Sequence, residues 1–296
     1  MDKQDIEKYK HIGKISKEIR EYAKKIIKPG MLLVDIAQII EDKIKESGVE
    51  CAFPVNLSID DIAAHYHPVP DEKTIASGLL KVDIGIHKDG YIADNAISID
   101  LTEKKEHKKI IETAENALEN ALQLLKKNPT LHDLGLTIQK TIESNKFSPV
   151  INLSGHSIEK YKVHAGTTIP NYGNNSKQTI KSGVYAIEPF VTYGEGKIYE
   201  GNNGNIYSVI EFKSTRSPTA RKILEYVEKK YKTMPFSYRE IFQQFGPLSR
   251  LALKELENQH IIRSYAQLIE ASHKPVAQAE HTFLKTDDGE IIVITK

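Results

Sequence analysis

The segment "VDIGIHKDGYIADNA", residues 82–96, places Asp83 and Asp94 in a run rich in Val, Ile and Tyr, with Asp89-Gly90 at its centre. Asp-Gly between apolar runs is a strong hairpin signal, because a two-residue turn needs residues that tolerate positive φ. That turn predicts that Lys88 faces Tyr91, Gly85 faces Asp94 and Asp83 faces Ala96. Asp83 and Asp94 then become diagonal neighbours on one face, opposite residues with almost no side chain, so open space is expected above them. Val82, Ile84, Ile86, Ala93 and Ile97 share the other face, which suits burial. Two converging carboxylates repel unless one is protonated or a cation lies between them. The plain alternative is a solvated strand face with two unrelated acids. No lysine is read on this face near the pair, which leaves a divalent metal as the sharper expectation.

Such an ion needs ligands from elsewhere. Glu188 in "GVYAIEPFVTY" shares a period-two face with Val184, Ala186 and Phe190, so a lone carboxylate points into apolar company. Left ionised and unpaired there it costs several kcal/mol, so it must be protonated, paired or metal-bound. Glu280 in "QAEHTFL" repeats the oddity, on a face with Gln278 and Thr282. His156 follows Gly155 just after a strand, where glycine permits close backbone approach. Singly, each is more simply a hydrogen-bonded core residue or a surface group. Together they form an oxygen-dominated set with one imidazole. Four carboxylates balance the charge of two divalent ions, and the ligand types suit Mn, Fe, Co or Zn. A paired centre would activate water near neutral pH and polarise a carbonyl.

The elements that must position these residues are legible in outline. Residues 3–28 carry apolar residues at helical spacing and stop at Pro29-Gly30; residues 34–47 repeat the pattern before Gly48. "CAFPVNLSIDDIAAHYHPVP" reads as a short strand and an irregular loop, and the Asp-Gly hairpin follows. A second round gives helices at 105–126 and 131–145, then strands near 148–152, 162–165 and 183–193. Two helices and a β region, twice over, predict an α+β fold with two similar halves. The stretch 194–272 differs in texture: a Gly/Asn-rich turn region, helices near 217–232, 238–245 and 247–260, and a β-turn-β tail of winged-helix type. It is expected as an inserted helical subdomain, with 1–193 and 273–296 forming the catalytic domain and a final hairpin turning at Asp288-Gly289.

At 296 residues, with 40% hydrophobic and 27% charged residues, the composition is that of a soluble globular protein able to bury a full core. Basic and acidic residues nearly cancel, 41 against 40, so no net field points to nucleic acid or an anionic membrane. The single Cys51 excludes a disulfide framework and a thiolate metal cage and fits a reducing compartment. A charged N-terminus and the lack of a long apolar stretch predict a cytoplasmic protein.

The set, its order and its flanks resemble the methionine aminopeptidases of the "pita-bread" metallopeptidase fold. The matching stretches are "VDIGIHKDGYIADNA", "SGHSIEKYKVHAG", "AIEPF" and "AQAEHTFL", and "FPVNLSIDDIAAHYHP" with the insertion resembles the type 2 branch. The resemblance implies two divalent ions on Asp83, Asp94, His156, Glu188 and Glu280, with Asp94 and Glu280 bridging and Glu188 moving the proton of the attacking water. It implies that His65 stands beside the scissile amide, that His164 binds substrate near its carbonyl oxygen, and that Phe53 and Asn56 line the pocket for a methionine side chain. It further implies action, as a monomer, on the N-termini of nascent polypeptides with the ribosome nearby, and alkylation of His65 by fumagillin. His67 departs from the family's usual threonine. With His65 it reads as a zinc-type pair or as two loop histidines in water, and replacing it by threonine is expected to be nearly silent. His281 is expected to point away from the site.

Rival readings are an Xaa-Pro peptidase, disfavoured by the type 2 insertion and by the lack of a long N-terminal domain, and a binding protein on the same fold that has lost its ligands. A third takes 217–270 as a DNA reader. Its would-be recognition helix sets Arg250 and Lys254 against Glu255 and Glu257, a poor balance for phosphate binding.

Overall fold

Asp89-Gly90 forms the expected turn, both residues at positive φ, and joins the strands Leu79–Lys88 and Tyr91–Asp100. The register is the predicted one: Lys88 pairs with Tyr91, Gly85 with Asp94 and Asp83 with Ala96. The computed structural model describes residues 1–296. Its main sheet is nine-stranded. Along its path lie Glu50–Cys51, Leu79–Lys88, Tyr91–Asp100, Glu280–Lys285, Gly183–Ile187, Ser154–Ile158 and Thr168–Pro170. Asn56–Ile59 pairs with Leu79–Lys88, and Ile291–Val293 closes the terminal hairpin on Glu280–Lys285.

Two helix pairs cover one side of this sheet. Lys3–Ile26 and Leu33–Glu46 bury Ile12, Ile19, Ile36 and Ile40 against the hairpin residues Val82, Ile84 and Ile86. Lys108–Leu125 and Leu131–Ser144 bury Ala117, Ala121, Leu134 and Ile138 against Tyr185, Ile187 and Phe283. The second of these starts with a capping box, Thr130 and Asp133 each satisfying the other's backbone N–H. The apolar hairpin face is thereby committed to helices, and the acidic face is left to the opposite side.

Three local expectations differ. The stretch after Cys51 holds two short strands, Asn56–Ile59 and Ile62–Ala64, turning at Asp60 with φ +46°. Each joins a different sheet, the first the main sheet and the second Ile262–Glu270. Residues 162–165 form a loop, not a strand, folded back so that Ala165 N–H donates to the Ser157 carbonyl at 2.8 Å. The strand read across 183–193 is broken at Glu188-Pro189, between Gly183–Ile187 and Phe190–Thr192. Proline has no N–H for the ladder, and Phe190–Thr192 continues into a separate three-stranded sheet.

Helices Pro218–Lys230, Tyr238–Phe245 and Ser249–Asn258 bury a core of their own around Ile223, Val227, Phe236, Ile241 and Leu253. The strand after them, Ile262–Glu270, does not turn back on a following strand. It pairs with Ile198–Val209, which precedes the helices, so the helical piece is carried between two long antiparallel strands. No helix is long and apolar enough to cross a membrane.

Candidate metal centre and substrate pocket

The acidic face of the hairpin forms the floor of a cavity of about 320 Å³. Asp83 and Asp94 come from the hairpin, Glu280 from the adjoining strand where it pairs with Ala96, and His156 from inside Ser154–Ile158. His156 thus lies within a strand rather than after one. A side chain on Gly155 would collide with the Ala186 carbonyl, so glycine is what lets the two strands approach. Glu188 reaches the floor from the break before Pro189, where the residue preceding proline is held extended.

Ligand-type atoms of Asp94, His156 and Glu280 all lie within 4.8 Å of one another. His156 Nε2 is 3.7 Å from Asp94 Oδ2 and 3.7 Å from Glu188 Oε1. Asp83 Oδ1, Asp94 Oδ1 and Glu280 Oε2 are buried without a hydrogen-bond partner. Buried carboxylate oxygens are normally satisfied. Three orphaned acceptors in one cavity, two of them clustered with an imidazole, suit a cation, and the residues present fit divalent metal.

The electrostatics agree. Burial pushes the Asp83 carboxyl up to about 7, against a hydrogen bond from Gln278 that lowers it. Burial, then the neighbouring acids, holds Asp94, Glu188 and Glu280 well above the usual carboxylate range. Burial lowers His156 to about 3, so its ring is neutral and has a lone pair to offer.

Lys81 corrects the expectation that no lysine lies on this face. It sits two residues before Asp83, is 1% exposed, and donates through Nζ to the carbonyls of Asp60 at 2.7 Å and Leu79 at 3.3 Å. It is committed there and does not neutralise the pair. The space expected over Gly85 is filled as well: the Phe53 ring lies so close that any side chain at 85 would collide with it.

Phe53, Asn56, His65 and His164 all line the cavity, His164 at its exposed lip. The Asn56 side chain donates to the Pro54 carbonyl at 2.8 Å. The His65 ring is half-buried, meets Tyr265 edge to face at 5.4 Å, and is lowered to about 4, chiefly by burial. His281 points away, its Nδ1 3.0 Å from Thr295 Oγ1 and 3.1 Å from Arg20 Nη1. His67 is neither a zinc partner of His65 nor in water: it is fully buried between the Val55 carbonyl and Arg239.

Residues beyond the predicted set complete the site. Gln278 Nε2 donates to Glu188 Oε2 at 3.3 Å, and Thr282 Oγ1 both accepts from Asp94 N–H at 2.8 Å and donates to its carbonyl at 2.7 Å. Their period-two kinship with Glu280 was the available signal. Ile206, Pro235, Tyr265 and Leu268, from the 194–272 stretch, form the far wall. No local pattern distinguishes those four from ordinary core residues.

Metallopeptidase family M24 matches residues 7–216 of this chain. The methionine aminopeptidase of Pyrococcus abyssi is 41% identical over 294 residues, covering 97% of this chain and 99% of that protein. Among solved structures, a thermophilic Arx1 superposes with a TM-score of 0.84 at 18% identity, covering 99% of this chain and 91% of that one. A methionine aminopeptidase from Thermotoga maritima does so with a TM-score of 0.70 at 21% identity, covering 100% and 98%. At those identities the two structures speak for the fold, while the curated relative and the family match speak for descent. Carrying that fold, with an acidic floor suited to divalent metal, the chain belongs to the methionine aminopeptidases of metallopeptidase family M24.

Proposed function

We propose that this chain removes the N-terminal methionine from nascent polypeptides whose second residue is small, using two divalent ions held by Asp83, Asp94, His156, Glu188 and Glu280. The observation that carries the reading is the convergence of buried, unpartnered oxygens of Asp83, Asp94 and Glu280 with His156 under a pocket roofed by Phe53 and His65. Asp94 and Glu280, the most deeply buried acids of the set, would be central to holding the ions. Bound there, the ions would lower the pKa of water and polarise the scissile carbonyl.

The side chains do the rest. Glu188 takes the proton of the attacking water and returns it to the leaving amine, with Gln278 fixing its carboxylate. His65 hydrogen-bonds the reacting amide, and His164 at the lip binds near the substrate carbonyl. Phe53 and Asn56 hold the unbranched thioether side chain, and the walls from 194–272 leave little room past the scissile bond. We read 194–272 as an inserted subdomain of a catalytic domain formed by 1–193 and 273–296. We further propose that it acts as a monomer, in the cytoplasm where nascent chains emerge.

The test is peptide hydrolysis by metal-stripped protein after adding Mn, Co, Fe or Zn. Met-Ala-Ser is expected to be cleaved and Met-Lys-Ser barely, with activity saturating near two equivalents of metal. Faster turnover of Ala-Pro peptides than of Met-Ala peptides would replace this reading with Xaa-Pro cleavage.

A further inference from the structure

His67 stands where the family resemblance leads one to expect threonine, and none of the roles above uses it. Its Nδ1 lies 2.8 Å from the Val55 carbonyl, and its Nε2 lies 3.1 Å from Arg239 Nε. A guanidinium can only donate, so Nε2 is the bare nitrogen and Nδ1–H donates to Val55. Arg239, 2% exposed, also donates through Nη1 to Gln38 Oε1 at 2.7 Å and through Nη2 to Glu41 Oε2. The pair therefore ties the inserted helix Tyr238–Phe245 to the helix Leu33–Glu46 and to the stretch that carries Phe53 and Asn56.

The backbone around it is held as closely. His67 N–H donates to the Gly204 carbonyl at 3.0 Å, and the His67 carbonyl accepts from Asn205 Nδ2 at 3.0 Å. Leu57 N–H donates to the Tyr66 carbonyl at 2.8 Å. Just before these anchors His65 sits at φ +63°, a left-handed conformation that is unfavourable for a non-glycine residue and persists only where its surroundings impose it. Gly204 packs so tightly on the His65 carbonyl that a side chain there would collide.

We infer that His67 and Arg239 are positioning residues. Their buried pair clamps the inserted subdomain, the His65 turn and the Phe53–Asn56 wall into one register, so the subdomain sets the geometry at the scissile amide. Threonine at 67 is too short to meet both Val55 and Arg239 and would leave buried polar groups unpaired, so the exchange is not the nearly silent one expected from the sequence. The inference rests on the proposed role of His65.

The test uses metal-loaded full-length enzyme with His67→Thr, His67→Gln, Arg239→Gln and the His67→Thr/Arg239→Gln double variant. Bound metal should stay at the wild-type level in all four. His67→Thr and Arg239→Gln should each lower kcat on Met-Ala-Ser ~10-fold with little change in KM, the scale of a slightly misplaced reacting group. The double variant should be no worse than Arg239→Gln alone, because the two residues act as a unit. His67→Gln, which keeps an acceptor for Arg239, should recover part of kcat. If His67→Thr does not fold, His67→Gln and Arg239→Gln are compared by the same criteria. Variants with lowered thermal stability but wild-type kcat, or effects that simply add, would overturn the inference. If the wild-type enzyme cleaves no peptide with any metal, the functional reading fails separately. The clamp is then judged from crystals of the variants, where an unmoved His65 turn would overturn it.

Discussion

His156 Nε2 stands 3.7 Å from Asp94 Oδ2 across the two strands that separate them in the sheet. The contact joins the hairpin of the first half to a strand of the second, so the proposed metal centre is also the seam between the halves. Replacing Asp94 or Glu280 with Ala should therefore do more than delete one ligand. It removes an expected bridging carboxylate and leaves the remaining acids in a site that no longer closes. Peptidase activity should fall at least ~10³-fold as metal-activated water is lost. Metal retained after dialysis should fall with it, and a variant with full metal load and full activity would sink the assignment.

Asp83→Asn isolates one acid in the metal-free protein. Burial raises the Asp83 carboxyl to about 7, so the folded chain keeps a proton that the unfolded chain releases near pH 3.8. The stability tied to the protonated form is complete below about pH 4 and is lost as pH rises toward about 7. Asparagine does not titrate. Without metal, the melting temperature of Asp83→Asn should therefore gain on the wild type steadily over that range. Saturating metal should reverse the order, because the ionised carboxylate is then needed. A metal-free gap that does not change with pH would show that Asp83 is not held protonated.

Gly85→Ala tests the pocket rather than the metals. The added methyl collides with the Phe53 ring, which must swing into the space proposed for the methionine side chain. Overpacking of this kind costs about 1–3 kcal/mol. Bound metal should be unchanged and KM for Met-Ala-Ser should rise ~10-fold, with Gly85→Ala/Phe53→Leu recovering part of the loss. Unchanged KM would place the methionine side chain elsewhere.

What the sequence made legible, and what it hid, divides along sequence distance. The hairpin register was readable because Asp89-Gly90 fixes it locally, and the helix pairs because an apolar stripe repeats within each segment. The acids stood out because an ionisable residue in apolar company demands an explanation. The surroundings of Lys81 and His67 were hidden: which carbonyl takes a lysine's protons, or that Arg239 reaches His67, depends on strands and helices far apart in the chain. The break at Glu188-Pro189 was hidden as well: proline ends the ladder there, although Glu188 and Phe190 still line the same cavity. A histidine in a Pro-flanked loop looks solvated until the helix Tyr238–Phe245 is laid over it.

His65 offers the sharpest test of the reacting geometry. It is half-buried at the cavity wall, its ring edge against Tyr265, and burial keeps its pKa down at about 4, so it is uncharged through the neutral range. In the proposed reaction, a neutral imidazole beside the acidic floor would be both a hydrogen-bond partner for the amide and a nucleophile for an epoxide lodged in the pocket. Fumagillin should therefore leave a single adduct on His65, found by intact mass and peptide mapping. Because the lowered pKa preserves the uncharged ring, the rate of labelling should hold from about pH 8 to about pH 5. A solvated histidine would instead slow near its ordinary value of about 6.5. His65→Asn should keep metal and fold, lose the adduct, and lower kcat ~10²-fold, the scale of a missing acid-base or polarising group. Labelling of another histidine, or none with activity untouched, would remove His65 from the reaction.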